Sequence, residues 1–503
     1  MEISTTVTFI VYIVAMLLIG ILATKYTKSL SDYILGGRRL GSFVTALSSG
    51  ASDMSGWLLL GLPGALYLSG LCESWIAIGL TIGAWFNWKL VAGRLRVFTE
   101  ISNNALTLPD YFTHRFHDQK RILSVLTAII ILIFFVVYCA AGMVSSAKLF
   151  SQAFELDYQT GLYIGAVATI GYVMIGGFLA VSWTDTIQAT LMIFALLVTP
   201  IVIIVSLGGL DNVVAAVNST NPTASNWFAG DFSLQTIVML LTCLGWGLGY
   251  MGQPHILVRF MAASSVRAIP RARIISITWM ILCLLGACSV GYFGIAYIAQ
   301  HPELNAYVSN GGQENIFIVL SKYMFNPWIS GILLSAILAA VMSTLSCQLL
   351  VSSSVLTEDL YHQYLRPKAG QRELVWCGRM MLLGVAVVAF ILAQDPNAKV
   401  LDLVSWAWAG FGASFGPIVL ISLFWKKMNF AGALAGMFTG AVTVIIWSIF
   451  KDQYFMGLYE LIPGFLTNCL AIFIVSILTQ KCCHSCSDIY IKLKDEYRIR
   501  TQD

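Results

Sequence analysis

The chain has 503 residues, 58% of them hydrophobic and only 11% charged, a balance far from that of a water-soluble domain. This excludes a soluble globular enzyme. The formal net charge of +4 calls for no nucleic-acid partner, because basic loops on one side of a membrane protein, beside anionic lipid, produce it unaided.

Apolar stretches of about 20 residues can cross ~30 Å of hydrocarbon as helix. In chain order they fall at 6–24, 41–68, 73–93, 123–150, 160–182, 186–207, 234–252, 274–299, 325–356, 375–393, 400–425, 429–450 and 460–480, so the expectation is an all-α polytopic membrane protein of about thirteen spans. The first stretch lacks a basic n-region and is followed by Lys25, the reverse of a secretory leader, so it reads as a retained span. Lys25, Lys28, Arg38 and Arg39 follow it, and every second loop thereafter is basic: Arg94 to Arg121; Arg259, Arg267, Arg271 and Arg273; Arg366, Lys368 and Arg372; Lys426 and Lys427; and a tail with Lys492, Lys494, Arg498 and Arg500. Of the 29 Lys and Arg residues only Lys148, Lys322, Lys399 and Lys451 fall on the other side. This alternation predicts an N-terminus outside and a C-terminus inside the cell.

The second span carries SSGASDMSG, with Asp53 among glycines and serines at membrane depth, where a carboxylate needs a protein-lined cavity. The seventh ends in LGWGLGYMGQPH, Leu244 to His255. These two spans lie five apart and cross in opposite directions, the arrangement of an inverted repeat with spans 2–6 and 7–11 as its halves. The corresponding units are 1–40 (an extra span and loop), 41–207, 208–425, and 426–503 (spans 12–13 and tail). If the second span unwinds over Gly50 to Gly56, one half-helix ends in free carbonyls and the other begins with free N–H groups. The carbonyls of Ala51 and Met54 then suit a small hard cation beside the charge of Asp53. The N–H groups of Ser55 and Gly56 suit a carboxylate.

The ninth span contains ILAAVMSTLSCQ, where Ser343 and Thr344 share a face with Ala340 and offer oxygens to the same cation. The competing reading is that both hydroxyls bond back to their own helix. Trp57, Tyr138, Trp246 and Tyr250 supply aromatic walls for a small organic substrate, or pack as core. Asp185 and Arg259 read either as an inner gate pair or as a solvated turn carboxylate and a positive-inside arginine.

The segment from Asp211 to Asp231 reads as an outer loop or short surface helix. The loops 94–122, 208–233 and 300–324 are too short for a core of their own, so function resides in the membrane. The eleven cysteines are mostly scattered within spans and read as small packing residues. Cys482, Cys483, His484 and Cys486 match no zinc spacing and are read as a reduced cluster, with no transition metal expected. His114, His117, His255, His301, His362 and His484 all fall in loops or at span ends, which argues against a membrane enzyme.

At these residues the sequence resembles the sodium:solute symporter family. The stretches that carry the likeness are SDYILGGRRLGSFVTALSSGASDMSGWLLLGLPGALYLSG, ESWIAIGLTIGAWFNWKLVAGRLR, NNALTLPDYF, GGFLAVSWTDTIQATLMIFAL, GWGLGYMGQPHILVRFMAA, NPWISGILLSAILAAVMSTLSCQLL and LVSWAWAGFGASFGP. The similarity runs from the first span to the thirteenth, with only the outer loops and the tail diverging, and includes the glycine pair Gly176 and Gly177 and the stretch KMNFAGALAG. The resemblance implies a leucine-transporter-type core of two inverted five-helix repeats, discontinuous in spans 2 and 7, working by alternating access in the cytoplasmic membrane. It implies sodium-ligand positions at Ala51, Met54, Ala340, Ser343 and Thr344, with cation and substrate binding dependent on Asp53, Ser55 and Gly56. It further implies a substrate cavity lined by Trp57, Tyr138, Trp246 and Tyr250. The likeness is to the proline-carrying branch, so the implied cargo is L-proline with sodium. The alternatives are another small carboxylate such as pantothenate, or a transporter-like sensor, for which the short tail offers no output domain.

Overall fold

A computed structural model describes residues 3–26, 29–228, 230, 233–480 and 484–502. Lys28, Asp231, Cys482 and Cys483 lie outside the described residues, as do the side chains of His484 and Cys486, so the tail cysteine cluster is not addressed by the structure. The described chain is helical throughout, apart from one isolated bridge between Leu40 and Ala263. Eleven described segments are long and apolar enough to cross a membrane, where hydropathy suggested thirteen. The difference falls at two places: Trp57–Ile101 joins the outer half of the second stretch to the third, and the fifth stretch is not among the eleven.

The long helix Tyr158–Ser206 holds the fifth and sixth stretches and breaks at Gly177, whose φ of 64 and ψ of −168 favour a residue without Cβ. Hydropathy had put this turn between 182 and 186. Moving it to the glycine pair puts Asp185 inside the helix, and both Asp185 and Arg259 are fully buried. The reading of the two as solvated loop residues is therefore corrected.

The second stretch runs as Ser42–Asp53, breaks, and resumes at Trp57–Gly61 and Leu62–Ser69. The gap is narrower than the expected Gly50 to Gly56: Met54 N–H still donates to the Gly50 carbonyl (3.0 Å), which keeps Gly50 to Asp53 helical. The seventh stretch runs as Leu234–Gly245, tightens into a 3₁₀ turn at Trp246–Gly252, and resumes at Pro254–Ala262. Proline at the first position of that last piece loses no helical hydrogen bond. The start of the second span and the end of the seventh are tied by backbone: Leu40 N–H donates to the Ala262 carbonyl (3.2 Å) and Ser264 N–H to the Leu40 carbonyl (2.9 Å). Arg38 reinforces the tie, donating to the carbonyls of Met261 (2.6 Å) and Ala105 (2.7 Å).

The ninth stretch, Pro327–Ser354, is buried on almost every face and packs against the fourth (Ile122–Phe154), the fifth and sixth, and the first (Ile3–Thr24). The eleventh, Val400–Phe424, packs against the 3₁₀ turn of the seventh. The two centrally packed helices thus flank the two broken ones. The segment after Asp211 begins as part of a short helix, Leu210–Thr220, and the tail forms a helix, His484–Gln502.

Candidate substrate and cation site

The break in the second span faces the ninth. Ser343 Oγ donates to the carbonyls of Ala51 (2.8 Å) and Ala340 (3.0 Å), and Thr344 Oγ1 donates to the Ala51 carbonyl (3.3 Å). Ser343 thus bonds both back to its own helix and across, whereas Thr344 reaches across. Two carbonyls and two hydroxyls, all wholly or almost wholly buried, converge at one point between the helices. A set of neutral hard oxygens, with no nitrogen or thiolate among them, suits a small monovalent or divalent cation of the sodium or calcium kind. Met54 caps the inner half-helix and lines a narrow cavity with Asp53, Ser49, Asn87, Tyr250 and Ser276.

The Asp53 carboxylate points into that cavity and accepts a hydrogen bond from the Tyr250 hydroxyl. Its other oxygen has no partner among the described residues. The carboxylate bridges the second and seventh spans, while the oxygen cluster joins the second and ninth. Asp53 also anchors the wall, since its carbonyl accepts from Trp57 Nε1 (3.3 Å).

Aromatic rings close the space outside the break. Trp57 and Trp246 lie with centroids 6.4 Å apart, Trp246 stacks on Tyr459 at 5.3 Å, and Tyr250 meets Trp408 edge-on at 5.0 Å. The Tyr138 hydroxyl lies beside Ser55, whose own N–H is taken by the Asp53 carbonyl (3.0 Å). Gly56 is held against Ser145, whose side chain a Cβ at position 56 would strike. Gly249 is pressed against the Trp408 indole in the same way.

Several residues that hold this geometry were passed over in the sequence. Asn87 Nδ2 donates to the Tyr250 carbonyl (3.0 Å), Gln253 Nε2 donates to the carbonyls of Gly249 (3.2 Å) and Trp408 (3.1 Å), and Trp408 Nε1 donates to the Trp246 carbonyl (2.8 Å). Together they satisfy backbone groups that the 3₁₀ turn leaves free, as a break at membrane depth requires. The signal for Asn87 and Gln253 was available, because an amide within an apolar stretch needs partners. Tyr459, at the start of the thirteenth stretch, carried none.

Beneath the break, Asp185 accepts from Ser48 Oγ (2.6 Å) and lies 3.4 Å from Arg259 Nη2, while Arg259 also donates to Ser48 Oγ (3.2 Å). This joins the second, sixth and seventh spans. His255, expected at a span end, is instead wholly buried one turn above Arg259. The sequence reading erred because the proline and glycines before it suggested a span end, whereas they mark a mid-span break. Above the site, buried Glu314 accepts from Lys148 Nζ (2.6 Å) and from the N–H groups of Val400 and Leu401 (3.1 Å each), capping the eleventh span. These two sets of contacts lie on opposite sides of the break. Among the described residues no group of three or more His, Cys, Asp or Glu side chains is placed to hold a metal ion.

The family profile described as the sodium:solute symporter family matches residues 33–440. The chain belongs to the sodium:solute symporter family. Among relatives, the sodium/proline symporter of Escherichia coli strain K12 is 60% identical over 480 residues, covering 95% of this chain and 94% of the relative. The high-affinity proline transporter of Bacillus subtilis strain 168 is 50% identical, covering 95% of this chain and 99% of the relative. A solved Na+-coupled sialic acid symporter in a substrate-bound outward-open state superposes with a TM-score of 0.78 at 19% identity, over 95% of this chain and 98% of that one. The nucleobase-cation-symport-1 family transporter MHP1 superposes at 0.56 and 12% identity, over 92% and 99%. The fold of this sodium:solute symporter is accordingly the leucine-transporter type, discontinuous in its second and seventh spans.

Proposed function

We propose that this symporter imports L-proline together with sodium across the cytoplasmic membrane by alternating access, with its N-terminus outside and its C-terminus inside. The carrying observation is the cluster of four oxygens that the ninth span closes onto the broken second span. The high identity to proline transporters supports the organic cargo.

In this reading sodium sits among the oxygens of Ala51, Met54, Ala340, Ser343 and Thr344, with the charge of Asp53 beside it. The substrate carboxylate meets the half-helix that begins at Gly56, where Ser55 can offer its hydroxyl but not the N–H expected of it, which the Asp53 carbonyl holds (3.0 Å), and its ring lies among Trp57, Tyr138, Trp246 and Tyr250. Because both ligands order one break, each raises the affinity for the other. The Asp53–Tyr250 bond carries that coupling from the cation side to the seventh span. Residues 41–207 and 208–425 act as the inverted halves, residues 1–40 and 426–503 as additions. The backbone tie at Leu40 lets the inner halves of spans 2 and 7 swing as one piece when Asp185 and Arg259 part.

At an inside-negative potential each sodium moved inward contributes ~2.3 kcal/mol per 100 mV, which sustains a ~45-fold gradient of a neutral zwitterion at ~1.4 kcal/mol per decade. Uptake of labelled proline tests the reading of the cargo. Excess unlabelled proline should abolish it, excess pantothenate should leave it intact, and choline in place of sodium should silence it. Displacement by pantothenate with no effect of proline would overturn the assignment.

A further inference from the structure

Two half-helices present their positive ends to the middle of the protein. One starts at Gly56; the other is Pro254–Ala262, nine residues long, in whose first turn Pro254 has no N–H and Ile256 and Leu257 both donate to the Gln253 carbonyl (3.1 and 3.0 Å), which leaves the N–H of His255. The first is assigned above to the substrate carboxylate, and the second has so far no role. Yet its first turn holds His255, wholly buried, with neither ring nitrogen hydrogen-bonded to any described residue. Buried polar groups are almost always satisfied, so two open positions on one ring point to a ligand that comes and goes.

The surroundings say which ligand. The imidazole stands edge-on to Tyr138 at 5.9 Å and 90° and against Phe135 at 5.7 Å, while the hydroxyl end of Tyr138 lies beside Ser55. One tyrosine therefore reaches from the first pole to the second. One turn inward, Arg259 donates from Nη1 to the His255 carbonyl (2.9 Å). With Asp185 3.4 Å from the guanidinium, the helix terminus supplies the positive potential there, and Arg259 adds to it once that pair parts, which favours an anionic group over an ammonium.

We propose that His255 and the N-terminus of Pro254–Ala262 form a second, inner subsite for the carboxylate of the amino-acid substrate, filled as the site opens toward the cytoplasm. The proposal rests on the reading of Ser55 and Gly56 as the outer carboxylate site. A neutral imidazole has one N–H to donate. The carboxylate moves inward by about the length of the tyrosine between the poles, exchanging the Gly56 N–H and the Ser55 hydroxyl for the backbone N–H and the ring of His255. When Asp185 separates from Arg259, the guanidinium becomes available below His255 to draw the carboxylate on.

The test compares the two faces of the transporter in oriented vesicles at equal sodium. H255F removes the donor while keeping a ring of similar size. It should raise the cytoplasmic-side half-saturation for proline about tenfold, the loss of one hydrogen bond to a charge, and leave the external KM within about twofold. H255Q, whose amide can donate, should restore most of the inner affinity. Competition from the inner side by prolinamide, which lacks the carboxylate, should be insensitive to H255F. An inner half-saturation unchanged in H255F, or equal weakening on both faces and of prolinamide too, would overturn the subsite. If H255F does not insert, H255M is judged by the same criteria. A wild-type protein that takes up no proline at all would count against the proposed function and not against this subsite alone.

Discussion

Thr344→Ala isolates the cation site more cleanly than any other single change. The Thr344 hydroxyl reaches across to the Ala51 carbonyl at 3.3 Å, whereas Ser343 divides its hydroxyl between Ala51 and its own helix. Removing the Thr344 oxygen takes one neutral dipole from a cation coordinated by about five. Hydrogen bonds to charged groups contribute about 1.5–3 kcal/mol, and a lost ion–dipole contact of that size corresponds to a ~10- to 150-fold rise in the sodium concentration for half-maximal uptake at ~1.4 kcal/mol per decade. Folding should suffer little, since Ala51 keeps its bond from Ser343. The assay is the initial rate of labelled proline uptake in membrane vesicles against sodium concentration, at saturating proline. Thr344→Ser should stay within about threefold of wild type, because it retains the oxygen. A half-saturating sodium concentration unchanged in Thr344→Ala and in the near-isosteric Thr344→Val would refute the assignment and leave the hydroxyl as a strut between helices.

Asp53→Asn should abolish sodium-driven accumulation while the protein still inserts, as shown by surface labelling, because the amide keeps the Tyr250 contact and removes the charge; full sodium dependence in the variant contradicts the role. Trp246→Ala, which strips a ring stacked on Tyr459 at 5.3 Å, should raise the proline KM about tenfold while moving sodium half-saturation by less than about threefold, since a lost aromatic contact of about 1.5 kcal/mol is about one decade of affinity. Arg259→Met alone leaves Asp185 buried without its cation, a cost of about 3–5 kcal/mol, and should lower the thermal midpoint in detergent. Asp185→Asn added to it should recover part of that loss, whereas a further drop would argue against the pairing. Glu314→Gln should weaken the cap on Val400 and Leu401 and make the outer vestibule more reactive to a thiol reagent when the reporter thiol is introduced by Ala65→Cys; unaltered reactivity would count against Glu314 as the outer seal.

Hydropathy alone revealed the class, because a bilayer leaves only helices for a chain this apolar. Asp53 at depth betrayed the break in the second span for the same reason. What periodicity handled poorly was backbone geometry inside apolar runs. It could not see that Gly177, at φ 64, ends the fifth helix and carries Asp185 into the core. Nor could it tell that Pro254 opens a half-helix in mid-membrane, so His255 was placed at a span end. Both errors share one cause: glycine and proline mark a break without saying whether water or protein lies beyond it. The oxygens of the ninth span were legible from spacing, but which helix each hydroxyl serves depends on the partner across the gap. Trp408 and Tyr459 escaped notice because they act on the free backbone or the aromatic wall of a span far away in sequence, a relation that only the packed structure displays.

The central claim is that cation and amino acid meet at one broken helix and are carried together. The most direct measurement is proline accumulation in reconstituted vesicles held at zero membrane potential, with an inwardly directed sodium gradient as the sole variable. The account predicts transient accumulation above the outside concentration that vanishes when sodium is equal on both sides. Proline that merely equilibrates, at a rate indifferent to the gradient, would contradict it.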